Sequence, residues 1–256
     1  MKDPNIIREK DFKYDVFKPS IGGDSGVLML ATKLTDEDVQ YIVKCQVEWN
    51  PASEFIYHKV AAVLGMYTQD VKLFKSLLEA KYACGIRYCA DARKINDFNA
   101  DDQNQADYFR FKALYQILNE EDSEEFYTDG QNRVFKLDNA EAFYLSNAYG
   151  LLVKKAKTKS QWIKMAMDED TDRFVDKLDE HYYSMMADKI AEVYGKGAVK
   201  IYLDTFTRFA GLDMSMLEEA FASLDRVYPK TFSEYLRRFL EARQPACRVF
   251  AANKTI

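Results

Sequence analysis

Histidine is nearly missing: His58 and His181 are the two histidines in 256 residues. A Ser-His-Asp hydrolase needs one of them beside an activated serine, and no Gly-x-Ser-x-Gly elbow occurs, so that class is set aside. Both histidines fall in predicted helices and read as ordinary packing or surface. The four cysteines (Cys45, Cys84, Cys89 and Cys247) form no Cys-x-x-Cys pair, and two histidines are too few to complete a structural zinc site. Free thiols in a reducing cytoplasm are expected. No apolar run reaches membrane-spanning length, and Met1-Lys2-Asp3-Pro4-Asn5 carries no apolar signal core, so a soluble, cytoplasmic protein with no membrane partner is expected. A basic surplus is also lacking. Thirty-six basic against forty-one acidic residues leave a net charge of -5, which argues against a nucleic-acid footprint. The one basic cluster, Lys154, Lys155, Lys157 and Lys159, reads as a solvated helix end or a binding patch. Repeats and low-complexity tracts are absent as well.

What is present is enough apolar material for a core, 48% of residues, in a chain of one domain or of two lobes sharing a cleft. The most informative stretch is Gly22-Gly23-Asp24-Ser25-Gly26, followed eighteen residues after its last glycine by Lys44 in Tyr41-Ile42-Val43-Lys44. Glu54 comes next, just inside a helix that Asn50-Pro51 starts as N-cap and first helical residue. Glycines let backbone amides close over phosphates, a lysine pairs with phosphate oxygens, and a glutamate fixes the lysine. Taken alone, the glycine cluster is also good turn chemistry, and Lys44 could be a solvent-facing strand residue.

The first ninety residues read mostly as strands. Asp11 to Lys18 is an edge strand, Val27 to Thr32 a short apolar strand, Asp36-Glu37-Asp38 a polar turn, and Val39 to Gln46 the returning strand of a hairpin. Phe55, Ile56, Val60, Val63 and Leu64 recur at helical spacing, and Gly65 fits the C-terminal cap. Val71 to Phe74 and Gly85 to Ala90 are further strands. Lys94 to Asn104 is polar and reads as a loop. Gln105 to Leu118 is an amphipathic helix with Tyr108, Phe111, Leu114, Tyr115 and Leu118 on one stripe. Phe126 to Thr128 and Val134 to Leu137 make a hairpin around Asp129-Gly130. Beyond Asn139 the pattern is helical: Glu141 to Ala156, Gln161 to Met167, Thr171 to Tyr194, Ala198 to Phe209, Met214 to Leu224 and Phe232 to Ala242, with breaks at Pro229 and Pro245.

Asp138 directly follows the apolar strand and precedes Asn139-Ala140-Glu141-Ala142-Phe143. A carboxylate at such a junction presents hard oxygens with little reorganisation, as magnesium requires, or else it caps the helix.

Four segments together resemble the HipA-like serine/threonine kinases: Gly22 to Gly26, Tyr41 to Lys44, Ala52-Ser53-Glu54-Phe55 running into Leu64-Gly65, and Phe135-Lys136-Leu137-Asp138. The similarity runs from about Val16 to Phe143. It implies an α+β, bilobal protein-kinase-like fold, with a small strand-rich N-lobe over residues 1-90 and a larger helical C-lobe over 91-256. It implies Mg-ATP (ATP with Mg2+) as cofactor and transfer of the γ-phosphoryl to a protein serine or threonine hydroxyl. By the same resemblance Gly22, Gly23, Asp24, Ser25 and Gly26 cover the phosphates, Lys44 is the phosphate lysine, Glu54 its ion-pair partner, and Asp138 the magnesium aspartate.

The sequence departs from the family at the catalytic loop, Leu118-Asn119-Glu120-Glu121-Asp122-Ser123-Glu124-Glu125-Phe126, which has no histidine and no asparagine ahead of the Phe126-Tyr127 strand. Counting back from that strand, Glu125 takes the place of a metal-binding asparagine, and Glu120 or Asp122 that of the residue orienting the hydroxyl. A carboxylate can do either task, but crowded carboxylates repel one another and shift their pKa values. Two other readings therefore stand beside the kinase. One is a catalytically dead pseudokinase whose function lies with a protein partner. The other is a helical structural protein whose glycine cluster is only a turn.

Overall fold

A computed structural model of the chain describes residues 3-16, 28-44, 49-75, 77, 82-95, 105-120, 125-139, 142-144 and 180-253. The glycine cluster at 22-26, Cys45, Asp122, the lysines at 154-159 and the helices expected between 145 and 179 lie outside the described residues.

The strand-rich lobe is a six-stranded sheet. Its strands are β1 (Ile6–Ile7), β2 (Phe12–Val16), β3 (Leu28–Lys33), β4 (Asp36–Lys44), β5 (Val71–Phe74) and β6 (Ala83–Arg87). Their spatial order is β1-β5-β6-β4-β3-β2, so β2 is an edge as expected and β4 and β6 are central. All neighbours are antiparallel except β1 with β5. The alternation of period two splits β5 and β6 between two cores. Met29, Ala31, Tyr41, Val43, Phe74 and Ala83 build one cluster. Leu73, Cys84 and Ile86 face the other, larger one, together with helix α1 (Asn50–Val63).

Two of the expected boundaries shift. The β3–β4 turn is at Leu34-Thr35, because Lys33 pairs with Asp36, and Asp36 to Asp38 form the exposed start of β4 instead of a turn. In α1 the cap position belongs to Trp49, whose carbonyl accepts from the Ala52 and Ser53 amides, while Asn50 is buried in the first turn. The helix ends at Leu64, and Gly65 follows at φ 76°, the left-handed stop the glycine suggested. Helix α1 is buried on nearly every side, since it packs on β5 and β6 and also against helices of the C-lobe.

A second sheet, β7 (Arg93–Ile95), β8 (Phe126–Thr128) and β9 (Val134–Lys136), opens the helical lobe. Strand β7 lies where a loop was expected; its polar, largely exposed residues form an edge strand through pairing with β8. Helix α2 (Gln105–Ile117) is held between β9 and α4, so it buries Phe109 and Ile117 as well as the anticipated Phe111 and Leu114. Beyond lie α3 (Glu180–Tyr194), α4 (Lys196–Ala210), a short 3-10 turn Met214–Leu217, α5 (Glu218–Leu224) and α6 (Lys230–Asn253). Helix α6 runs through Pro245 rather than ending there. Phe239 and Leu240 before the proline and Cys247 and Phe250 after it are all buried, and that packing outweighs the lost backbone hydrogen bond. Among the described residues no helix is long and apolar enough to cross a membrane.

Candidate functional site

The site forms where β4, α1 and the segment after β9 meet. On β4, period two places Lys44 on the face opposite Tyr41 and Val43, towards α1. As the last residue of a central strand, paired with Leu28 on β3 and Cys84 on β6, Lys44 is buried, 7% exposed, and the solvent-facing reading of this lysine does not hold.

Its ammonium meets two carboxylates. Nζ lies 3.4 Å from Glu54 Oε2 and 2.7 Å from Asp138 Oδ1, partners ten and ninety-four residues away in sequence. Glu54, in the second turn of α1, is wholly buried. A bare carboxylate there would be costly, yet four donors meet it. Besides Lys44, Asn139 gives its backbone N–H to Oε2 at 2.8 Å and its side-chain amide to Oε1 at 3.1 Å. His58, one helical turn on, brings Nε2 to 3.0 Å from Oε1. An ionised carboxylate only accepts, so Nε2 carries the proton in that contact. Burial pushes the Glu54 pKa up, but the Lys44 charge and the hydrogen bonds from His58 and Asn139 outweigh it and hold the carboxyl far below the usual range. Burial acts downward on Lys44, and the two facing carboxylates reverse it, so its pKa stands above that of a free lysine.

Asp138 has φ 61°, a left-handed backbone that is uncommon outside glycine. Its side chain is 20% exposed and so open to solvent, unlike Glu54. Asn139 is fully buried, and the Ser53 hydroxyl lies 3.1 Å from its carbonyl and 2.9 Å from that of Ala142. Helix α1 is thus tied to the segment after β9 by side chains from both.

The two described carboxylates of the acidic loop, Glu120 and Glu125, are engaged with the protein itself. Glu125 pairs with Lys94 and accepts from the Tyr127 hydroxyl at 2.9 Å. Burial raises its pKa, and those two contacts with the Lys94 charge bring the net shift downward. Glu120 is buried and its charge acts on Lys136. Asp122 and Gly22, Gly23, Asp24, Ser25 and Gly26 lie outside the described residues. The structure therefore brings Lys44, Glu54 and Asp138 together and sets Glu120 into the interior. Sequence reasoning missed His58, Asn139 and Lys136. The four-residue spacing of Glu54 and His58 on one helix was the available signal for the first; Asn139 meets Glu54 from eighty-five residues away, and nothing local marks Lys136 as buried.

No family model and no curated protein matches the sequence. Among solved structures, the chain is similar to the Helicobacter pylori proinflammatory kinase CtkA, with a TM-score of 0.64 at 14% identity, over 97% of this chain and 99% of that one. A chain of the Shewanella oneidensis MR-1 toxin–antitoxin complex of HipA, HipB and operator DNA aligns over 89% of this chain and 62% of its own, with TM-score 0.44 and 10% identity. The first is a likeness of fold, and it agrees with the resemblance carried by the sequence motifs: the chain has the bilobal, α+β, kinase-like fold.

Proposed function

We propose that the chain binds Mg-ATP between its lobes and transfers the γ-phosphoryl to a serine or threonine hydroxyl of a protein. The observation that carries this reading is the contact of Lys44 with both Glu54 and Asp138. A lysine ammonium has three donors; two are engaged here, which leaves one for a phosphate oxygen. Glu54, fixed by His58 and Asn139, holds the ammonium in place. Preorganised charge of this kind, together with alignment, provides most of the catalysis in phosphoryl transfer.

The donor set fits a metal that arrives with a nucleotide. Among the described residues no group of three or more His, Cys, Asp or Glu side chains is arranged to hold a metal ion. Magnesium in nucleotide sites uses one or two carboxylates and completes its shell with phosphates and water. Asp138 is the carboxylate open for that task, and Glu125 is a second candidate once released from Lys94. Bound magnesium neutralises charge on the phosphate oxygens. The covering loop is assigned to Gly22 through Gly26, and Asp122 is the candidate for orienting the acceptor hydroxyl.

One observation favours a second reading, a pseudokinase that binds ATP without transfer. Of the acidic loop's described carboxylates, Glu120 is buried and Glu125 is paired with Lys94 and Tyr127. Intact-mass detection of a transferred phosphoryl, on the protein itself and on a generic protein acceptor, separates the two. The kinase reading expects transfer by wild type and none by Lys44→Met or Asp138→Asn. Full transfer by either variant would overturn the assignment of roles. Nucleotide binding without any transfer would leave the pseudokinase.

A further inference from the structure

Lys136 is the last residue of β9 and is fully buried, 0% exposed. None of the roles assigned above uses it. A lysine buried this completely is rare, because its ammonium needs hydrogen-bond acceptors and compensating charge. Here the ammonium donates to the carbonyl of Leu137 at 3.4 Å and to that of Asp138 at 3.2 Å. The rings of Tyr57 on α1 and Tyr115 on α2 flank it, 5.7 and 5.5 Å from Nζ to the ring centres. Burial lowers the pKa of Lys136, and the charges of Glu120, Glu54 and Asp138 oppose that only in part, with Lys44 as a like charge nearby.

The Asp138 contact has a geometric consequence. The Asp138 carbonyl and the Asn139 N–H belong to one peptide unit, which is planar and turns as a body. Lys136 holds its oxygen and Glu54 holds its N–H, the latter at 2.8 Å. Gripped at both ends, this peptide cannot turn about ψ of Asp138; the Leu137 carbonyl, held by the same ammonium, belongs to the peptide on the other side of Asp138, so the two contacts together hold the left-handed backbone there, φ 61°. Such a conformation is disfavoured outside glycine and persists where neighbours over-determine it.

We propose that Lys136 is a positioning residue for Asp138: its buried ammonium locks the Asp138–Asn139 peptide and thereby aims the Asp138 carboxylate into the nucleotide cleft. The proposal rests on the reading of Asp138 as the magnesium carboxylate. Groups that hold a metal ligand in place typically change metal affinity 10–100-fold when removed.

The test is a magnesium titration of the full chain at fixed ATP, followed by thermal shift, on wild type, Lys136→Met, Lys136→Gln and Asp138→Asn. ATP binding is measured in parallel in EDTA. Lys136→Met, of similar length but without donors, is expected to raise the half-saturating magnesium concentration about tenfold. Its metal-free ATP affinity should stay unchanged, because Lys44 and Glu54 are untouched. Lys136→Gln keeps a neutral NH2 donor and should fall between; it is also the variant read if Lys136→Met does not fold. A purely structural lysine would lower the apo midpoint and leave the magnesium dependence alone. That result, with Asp138→Asn still shifting the titration, overturns the proposal and spares the nucleotide reading. An Asp138→Asn titration identical to wild type would overturn the metal reading and this proposal with it.

Discussion

Glu54 decides the chemistry of the site at the scale of single residues. It is wholly buried and takes hydrogen bonds from Lys44, His58 and both nitrogens of Asn139. Removing one member of a buried charged pair leaves the other uncompensated and typically costs about 3–5 kcal/mol. Glu54→Ala should therefore destabilise the protein by that amount in urea unfolding; a loss below about 1 kcal/mol would mean the network is not formed. The pH dependence has a definite sign. The folded pKa of Glu54 is depressed, so its contribution is present above the unfolded value of about 4.3 and lost as the pH falls below it. Stability of wild type should fall as the pH drops from about 5 towards the depressed folded value, and Glu54→Gln should be flatter over the same window. Lys44, Glu54 and Asp138 were singled out by the order of glycine turn, lysine and helix glutamate and by the strand end at Phe135 to Asp138, and the three side chains do meet. Their surroundings were not, since nothing local in Lys136 or Asn139 distinguishes a buried donor from a surface one.

Elements form where the alternation of apolar residues says they should, and they deviate where pairing or tertiary burial overrides it. Strand β5 and the start of α2 lie at the residues expected, and α1 ends at its glycine signal. Strand β7 was missed because Arg93 and Lys94 carry no apolar pattern and become a strand only by pairing with β8. The acidic start of β4 was read as a turn for a similar reason: its side chains are exposed, so the hydrogen-bonded ladder alone makes it strand. Gly85, central in β6, is fixed by a close approach. A Cβ there would stand 2.9 Å from the Phe74 ring and 3.1 Å from Tyr41 Cβ. Gly85→Ala should lower stability by about 1–3 kcal/mol through overpacking, measured by chemical denaturation. An unchanged midpoint would show that Phe74 can move aside freely.

The two-lobe plan follows from the change of periodicity along the whole chain, from two near the N-terminus to helical after Asn139. How the lobes are joined could not be read in this way, because the contacts span the full sequence. Asp3 pairs with Arg226 at 2.6 Å, Asn5 donates to the Ser223 hydroxyl at 3.1 Å, and Tyr82 stacks on Tyr228 with ring centres 4.1 Å apart. These contacts fix how the two lobes meet, and the proposed function turns on nucleotide binding beside Lys44. A ligand that binds only the folded protein adds about 2.7 kcal/mol at one hundred times its Kd. For a chain of this size, that corresponds to a rise of roughly 5–10 °C in the unfolding midpoint. The decisive measurement is thermal unfolding of wild type and Lys44→Met, each with and without Mg-ATP. A magnesium-dependent rise of that order is expected in wild type, and its loss in the variant. Equal midpoints with and without Mg-ATP in wild type, or an equal rise in both proteins, would contradict the nucleotide reading.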